Sequence, residues 1–82
     1  MYRVKIDITL KRSVLDPQGK TVKAALHSMG FNNVSDVRVG KYCEITLDAS
    51  SANEAKKEVN DVCNKLLVNP VIEEYSFTID EV

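Results

Sequence analysis

One histidine, two cysteines and three glycines leave this 82-residue chain little material for a reactive site of its own. His27 has no nucleophile or ligand cluster beside it in sequence, which argues against catalysis or metal binding there. Gly19, Gly30 and Gly40 stand apart, so no glycine-rich loop cradles a phosphate. No Ser/His/Asp, Cys/His or HExxH arrangement occurs. Most of the acids, Glu54 and Glu58 among them, fall on exposed faces, where they support solubility and i,i+4 pairing rather than acid–base work. Cys43 and Cys63 lack CxxC spacing and fall on inward faces. They read as buried free thiols, with a disulfide or redox pair as the less favoured alternative. No apolar run approaches the ~20 residues of a membrane helix. The alternating N-terminus is no signal peptide, so the default location is cytoplasmic.

Charge of one sign is also lacking, with a net charge of −1. That balance is not the footprint of a nucleic-acid binder. Its distribution is uneven, however. Residues 1–41 hold eight Lys/Arg against three acids, whereas residues 42–82 hold three against nine. Such a split either steers a second copy or another protein onto the chain, or is simply solvated surface. Eighty-two residues make one domain, 1–82, whose single core buries only roughly 60–65% of the unfolded surface. Self-association is a natural supplement to so small a core.

What the chain does have is pattern. Tyr2, Val4, Ile6, Ile8 and Leu10 alternate with Arg3, Lys5, Asp7 and Thr9, which reads as a half-buried strand. Asp16 is a good N-cap and Pro17 suits the first helical position. Leu15, Gly19, Val22, Leu26 and Met29 then form the apolar stripe of a first helix. Gly19 is the odd choice, because Glu there would complete a capping box and Gly costs ~0.5–1 kcal/mol relative to Ala. Its place on the stripe implies close helix–sheet packing or the close approach of another chain's backbone. Lys20, Lys23 and His27 give this helix a basic face. Gly30 and Phe31 close it. Val34–Val39 reads as a second strand, Gly40-Lys41 as a tight turn or bend, and Cys43, Ile45 and Leu47 as the inward positions of a third. Ser51–Glu54 is a capping box for a second helix, whose apolar face is Ala52, Ala55, Val59, Val62, Cys63 and Leu66. Asn69-Pro70 stops it. Val71, Tyr75, Phe77 and Ile79 alternate in a fourth strand, after which the acidic end is expected to fray.

The order βαββαβ predicts an α+β fold, a ferredoxin-like antiparallel sheet with two helices on one face. The same order builds RNA-binding domains, but those need stacking aromatics on the central strands. Here the corresponding positions offer only Tyr42. A small-ligand-binding regulator shares the fold class as well, though no ligand signature accompanies it.

Four segments together resemble the PurS subunit of phosphoribosylformylglycinamidine synthase. They are Leu15-Asp16-Pro17-Gln18-Gly19-Lys20, Ala25-Leu26-His27-Ser28-Met29-Gly30-Phe31, Val37-Arg38-Val39-Gly40-Lys41-Tyr42, and Asn69-Pro70-Val71-Ile72-Glu73-Glu74-Tyr75. Departures are mild: Met29, Cys43 and Glu74 stand where Leu, another apolar residue and Asp are more usual. The resemblance covers essentially the whole chain. It implies a non-catalytic subunit of an ATP- and glutamine-dependent ligase of purine biosynthesis, with no catalytic residue, metal or cofactor on this chain. ATP and magnesium are expected on the large synthetase subunit. The implied partners are that subunit, the glutaminase subunit and a second copy of the chain, with no nucleic acid and no membrane. The chain would join the two larger subunits and help to shield the ammonia route. Asp16, Pro17, Gln18, Gly19, Lys20, Lys23, His27, Arg38, Lys41 and Tyr42 make up the candidate interface. The alternative function is a stand-alone ferredoxin-like regulatory domain that binds a small ligand.

Overall fold

The alternation of residues 2–10 builds β1 (Tyr2–Leu10), the central strand of an antiparallel sheet in the order β2-β1-β3. In this computed structural model, which describes all 82 residues, β2 spans Gly40–Leu47 and β3 spans Glu73–Glu81. Val4 pairs with Ile45 on one side and Ile79 on the other; Ile6 pairs with Cys43 and Phe77. Register therefore places every apolar residue of the three strands except Tyr42 on one face. Val4, Ile6 and Ile8 are buried, each worth roughly 1.5–3 kcal/mol of transfer free energy.

That face is covered by α2 (Ala52–Val62), which packs on β1 and β3. Ser51 caps it by accepting the Glu54 N–H at 3.2 Å. Ala55, Val59 and Cys63 are buried, as the 3.6-residue period predicts. Beyond Val62 the helix widens into one π turn, Cys63–Leu67, in which the Val68 N–H reaches the Cys63 carbonyl at 2.9 Å. The extra residue breaks the period. Leu66, expected inward, is 79% exposed, while Leu67 packs against the core and Val68 is buried. The strand expected from Val71 starts instead at Glu73. Asn69 folds residues 69–72 into a turn, its side chain accepting the Val71 N–H and its carbonyl the Glu73 N–H. At the far end the ladder runs to Glu81, and the Val82 N–H donates to the Met1 carbonyl, so the expected fraying is absent.

The first helix, α1 (Pro17–Ser28), does not pack on the sheet. It leaves the end of β1 and lies against the segment 34–39, which leads back to β2. Helix and segment form an arm. The radius of gyration is accordingly 16.1 Å and the long axis 50 Å, against about 12 Å for a compact chain of this length.

The α+β class, the antiparallel sheet and both helices agree with the sequence reading. Two features of the ferredoxin-like plan do not appear within one chain. Residues 34–39 pair with no strand, and α1 does not share the sheet face with α2. The cause is local. The chain passes from residue 34 to residue 47 without a turn or bend. The only positive φ in the molecule is at Gly30, at 96°, so Gly40 is not the turn residue expected. Gly40 serves close approach instead. A Cβ there would meet the Ile8 carbonyl oxygen and stand 2.8 Å from Thr9 Cγ2.

Candidate interaction surfaces

Asp16 holds the base of the arm. Its carboxylate accepts the Gly19 N–H at 3.0 Å through Oδ1, as an N-cap should, and the Val39 N–H at 2.9 Å through Oδ2. One side chain thus ties the start of α1 to the end of the returning segment. It is buried, at 6% exposure. The Val39 bond first, then the Gly19 bond, hold its carboxyl below the ordinary value of 3.8, and the Arg38 charge adds to them. Arg38 secures the other connection: its Nη2 donates to the Leu10 and Lys11 carbonyls, the latter at 3.1 Å. At the outer end of the arm, His27 Nε2 lies 2.8 Å from the Val34 carbonyl oxygen, so that nitrogen carries the proton and donates.

Gly19 is the contact point between helix and segment. A Cβ at Gly19 would strike the Val37 carbonyl oxygen and sit 2.7 Å from Asp16 Oδ2. The glycine therefore serves close packing within this chain, against the extended segment rather than against the sheet. His27, Asp16 and Gly19 all turn toward that segment. The apolar stripe is left largely uncovered, with Val22 41%, Leu15 61% and Met29 71% exposed and Phe31 beyond them half exposed.

The remaining candidates lie elsewhere. Pro17, Gln18 and Lys20 are exposed at the arm's base, and Lys23 is half-buried on the helix. Lys41 reaches across β1 to Glu73, Nζ to Oε2 3.2 Å. The Asn69 N–H, then Lys41, lower the Glu73 pKa from 4.5. Tyr42 is on the outer sheet face, its hydroxyl donating to Glu44 Oε2 at 3.0 Å, and Glu44 also pairs with Arg3 at 3.4 Å. Partial desolvation, then the Glu44 hydrogen bond, raise the Tyr42 pKa above 10.0. The ten residues thus divide between the arm and two separate parts of the sheet, and form no single surface. Residue chemistry alone did not single out the exposed apolar groups as an interface. The signal was present in the stripe, which needs a covering surface.

A site for chemistry is not formed. No three His, Cys, Asp or Glu side chains converge as metal ligands. Cys43 and Cys63 are free, and burial pushes the Cys63 thiol above 9.0. The surface hollows are shallow. The one at the arm's base, about 330 Å³, mixes Arg12, Lys20 and Arg38 with Asp16 and Asp36, and the carboxylate of Asp16 already occupies the helix N-terminus. No helix is long and apolar enough to cross a membrane.

Residues 3–81 match the model of the PurS family, described as phosphoribosylformylglycinamidine (FGAM) synthase. The chain belongs to the PurS family. It is 51% identical to the phosphoribosylformylglycinamidine synthase subunit PurS of Bacillus subtilis (strain 168), over 100% of this chain and 96% of that relative. The crystal structure of Methanocaldococcus jannaschii PurS, 39% identical, superposes with a TM-score of 0.91 over 100% of this chain and 99% of that one. A chain in the structure of PurLQS from Thermotoga maritima, 32% identical, gives 0.89 over 96% of each. Likeness at these TM-scores extends over the whole chain, so the projecting arm belongs to the shared PurS shape. A PurS chain is a subunit of a ligase of purine biosynthesis, and nothing in this molecule gives it a catalytic role within that enzyme.

Proposed function

We propose that the chain acts as a non-catalytic scaffold, as a homodimer, that joins the synthetase and glutaminase subunits of phosphoribosylformylglycinamidine synthase. The carrying observation is the full-length match to PurS relatives, one of them a chain within a PurLQS structure. Formylglycinamide ribonucleotide, glutamine, ATP and water are converted to formylglycinamidine ribonucleotide, glutamate, ADP and phosphate. ATP and magnesium are held by the synthetase, and glutamine is hydrolysed on the glutaminase. This chain contributes surfaces, and closes the path between the two centres so that ammonia is not lost to solvent. The complex works in the cytoplasm.

The geometry supports a surface-bearing role. Nine of 82 residues are buried, and the largest exposed apolar groups cluster on the arm and on the turn after α2 rather than in a pocket. The candidate interface divides accordingly. Of the arm residues, Pro17, Gln18, Lys20 and Lys23 serve contact between copies, while Asp16, Gly19, His27 and Arg38 hold the arm's own shape. Lys41 and Tyr42 on the sheet serve contact with the larger subunits. The three subunits, mixed and run through size-exclusion chromatography, are expected to elute together, while the synthetase and glutaminase alone elute apart. Co-elution of those two without this chain contradicts the scaffold.

A further inference from the structure

β3 pairs with β1 alone, so one of its sides is open. The ladder between them shows which groups face that side. The Val82 N–H donates to the Met1 carbonyl and the Lys11 N–H to the Ile72 carbonyl. In this register the hydrogen-bonded pairs are therefore those of Glu74, Ser76, Thr78 and Asp80 with β1. The N–H and C=O groups of Tyr75, Phe77, Ile79 and Glu81 point the other way and bond to nothing in the chain. Glu73 lies outside this row of free donors, because its N–H is held by the Asn69 carbonyl at 2.7 Å. At the other end the Val82 bond keeps the strand extended to its last residue.

The side chains beside this edge form a matching recess. Phe77, Ile79 and Glu81 join Tyr2, Ala52 and Lys56 around a hollow of about 410 Å³ on the α2 face. A strand added along β3 places every second side chain on that face. The wall is fixed before anything binds. Tyr75 and Phe77 stack with ring centroids 6.2 Å apart, and the Tyr75 hydroxyl donates to Asn60 Oδ1 at 2.7 Å. Such preorganisation lowers the cost of binding.

Charge selects the occupant. β3 carries acids at both ends, Glu73 and Glu74 at one and Asp80 and Glu81 at the other, with no Lys or Arg and an uncharged middle. Only Glu73 has an ion-pair partner, Lys41. Two β3 strands laid antiparallel about Phe77 set Glu73 against Glu81 and Glu74 against Asp80, and like charges directly opposite repel. The edge therefore turns away a second copy of itself and favours Lys or Arg at both ends of its partner. We propose that the β3 edge binds an extended segment of another protein as an added strand, basic at both ends, with small apolar residues facing the hollow and neutral polar ones beside Ser76 and Thr78. Main-chain hydrogen bonds to Tyr75, Phe77, Ile79 and Glu81 supply the affinity, and the hollow and the acids supply the selectivity. This goes beyond the scaffold reading and does not depend on it.

The test uses the isotope-labelled chain without the larger subunits, so its result stands whether or not the three subunits co-elute. The probe is the capped peptide Lys-Val-Thr-Val-Thr-Val-Lys-Lys. In the free chain, amide hydrogen exchange is expected to be fast at Tyr75, Phe77, Ile79 and Glu81 and slow at Ser76 and Thr78. The peptide is expected to shift the amide resonances of those four residues and to slow their exchange. A peptide with Glu for each Lys is expected to bind about tenfold more weakly. One that is N-methylated at alternate residues keeps the charge, loses the strand pairing and is expected not to bind. In the double variant Glu74→Lys with Asp80→Lys, both on the outer sheet face, the preference between the Lys and Glu peptides is expected to reverse. Protection of the four amides in the free chain shows that another copy holds the edge and overturns the proposal. So does an absence of shifts along β3, equal binding of the N-methylated peptide, or an unchanged preference in the double variant.

Discussion

At the scale of single residues, two positions carry the arm, and each makes a prediction whose sign is informative. Gly19→Ala gains ~0.5–1 kcal/mol if helix propensity decides. The added Cβ, however, meets the Val37 carbonyl oxygen and the Asp16 carboxylate, and overpacking of this kind costs about 1–3 kcal/mol. The contact outweighs the propensity, so the variant is expected to melt several degrees lower, and a higher melting temperature contradicts the packing role. Asp16 links stability to acid. Its folded pKa lies below the unfolded 3.8, so its contribution is fully present above that value and is lost as pH falls through the folded one. Glu73, lowered from 4.5, adds a loss of the same sign starting slightly higher. Urea unfolding of wild type is expected to weaken below pH 4. Asp16→Asn is expected to be less stable at neutral pH but flatter below it, and parallel pH curves for the two proteins contradict the assignment.

At the scale of elements, the sheet and the arm are held by different surfaces, and equal truncations separate them. Ile6 is completely buried beneath α2, so Ile6→Ala is expected to cost about 2–5 kcal/mol in denaturant unfolding. Met29 is exposed in the single chain. Met29→Ala is expected to leave the unfolding of dilute chains within about 0.5 kcal/mol of wild type while weakening self-association measured by sedimentation. A loss of several kcal/mol in dilute chains contradicts the arm's independence. The same division explains what was legible in the sequence. β1, β2, α2 and the α1 caps follow from local rules: alternation, a 3.6-residue stripe, Asp16-Pro17 and Ser51. The strand expected at 34–39 is an extended segment that pairs with no strand of this chain, because alternation reports half-burial and not which surface supplies the neighbour. Gly40 misled for a related reason. Glycine signals a turn and close approach alike, and only the backbone angle separates them. Leu66 was misplaced because a π turn adds a residue that a 3.6-residue count cannot anticipate.

At the scale of the whole molecule, the chain offers a small core, a projecting basic arm and two open sheet edges, with no group placed to make or break a bond. The chain is a PurS subunit of a ligase of purine biosynthesis, and the role proposed for it is that of an assembling part. Charge on the arm is expected to govern the rate of assembly. Lys20→Glu with Lys23→Glu is expected to slow association and to remove most of its salt dependence, read by stopped-flow fluorescence of a labelled chain. An unchanged salt dependence contradicts the role of the basic face. The central claim is that this chain couples the two centres and performs neither reaction. The most direct measurement is the turnover of the synthetase with its glutaminase, with glutamine and then with free ammonia as nitrogen donor, in the presence and absence of this chain. Glutamine-dependent turnover is expected to be lost without the chain while ammonia-dependent turnover persists. Equal loss with both donors, or full glutamine-dependent turnover without the chain, contradicts the account.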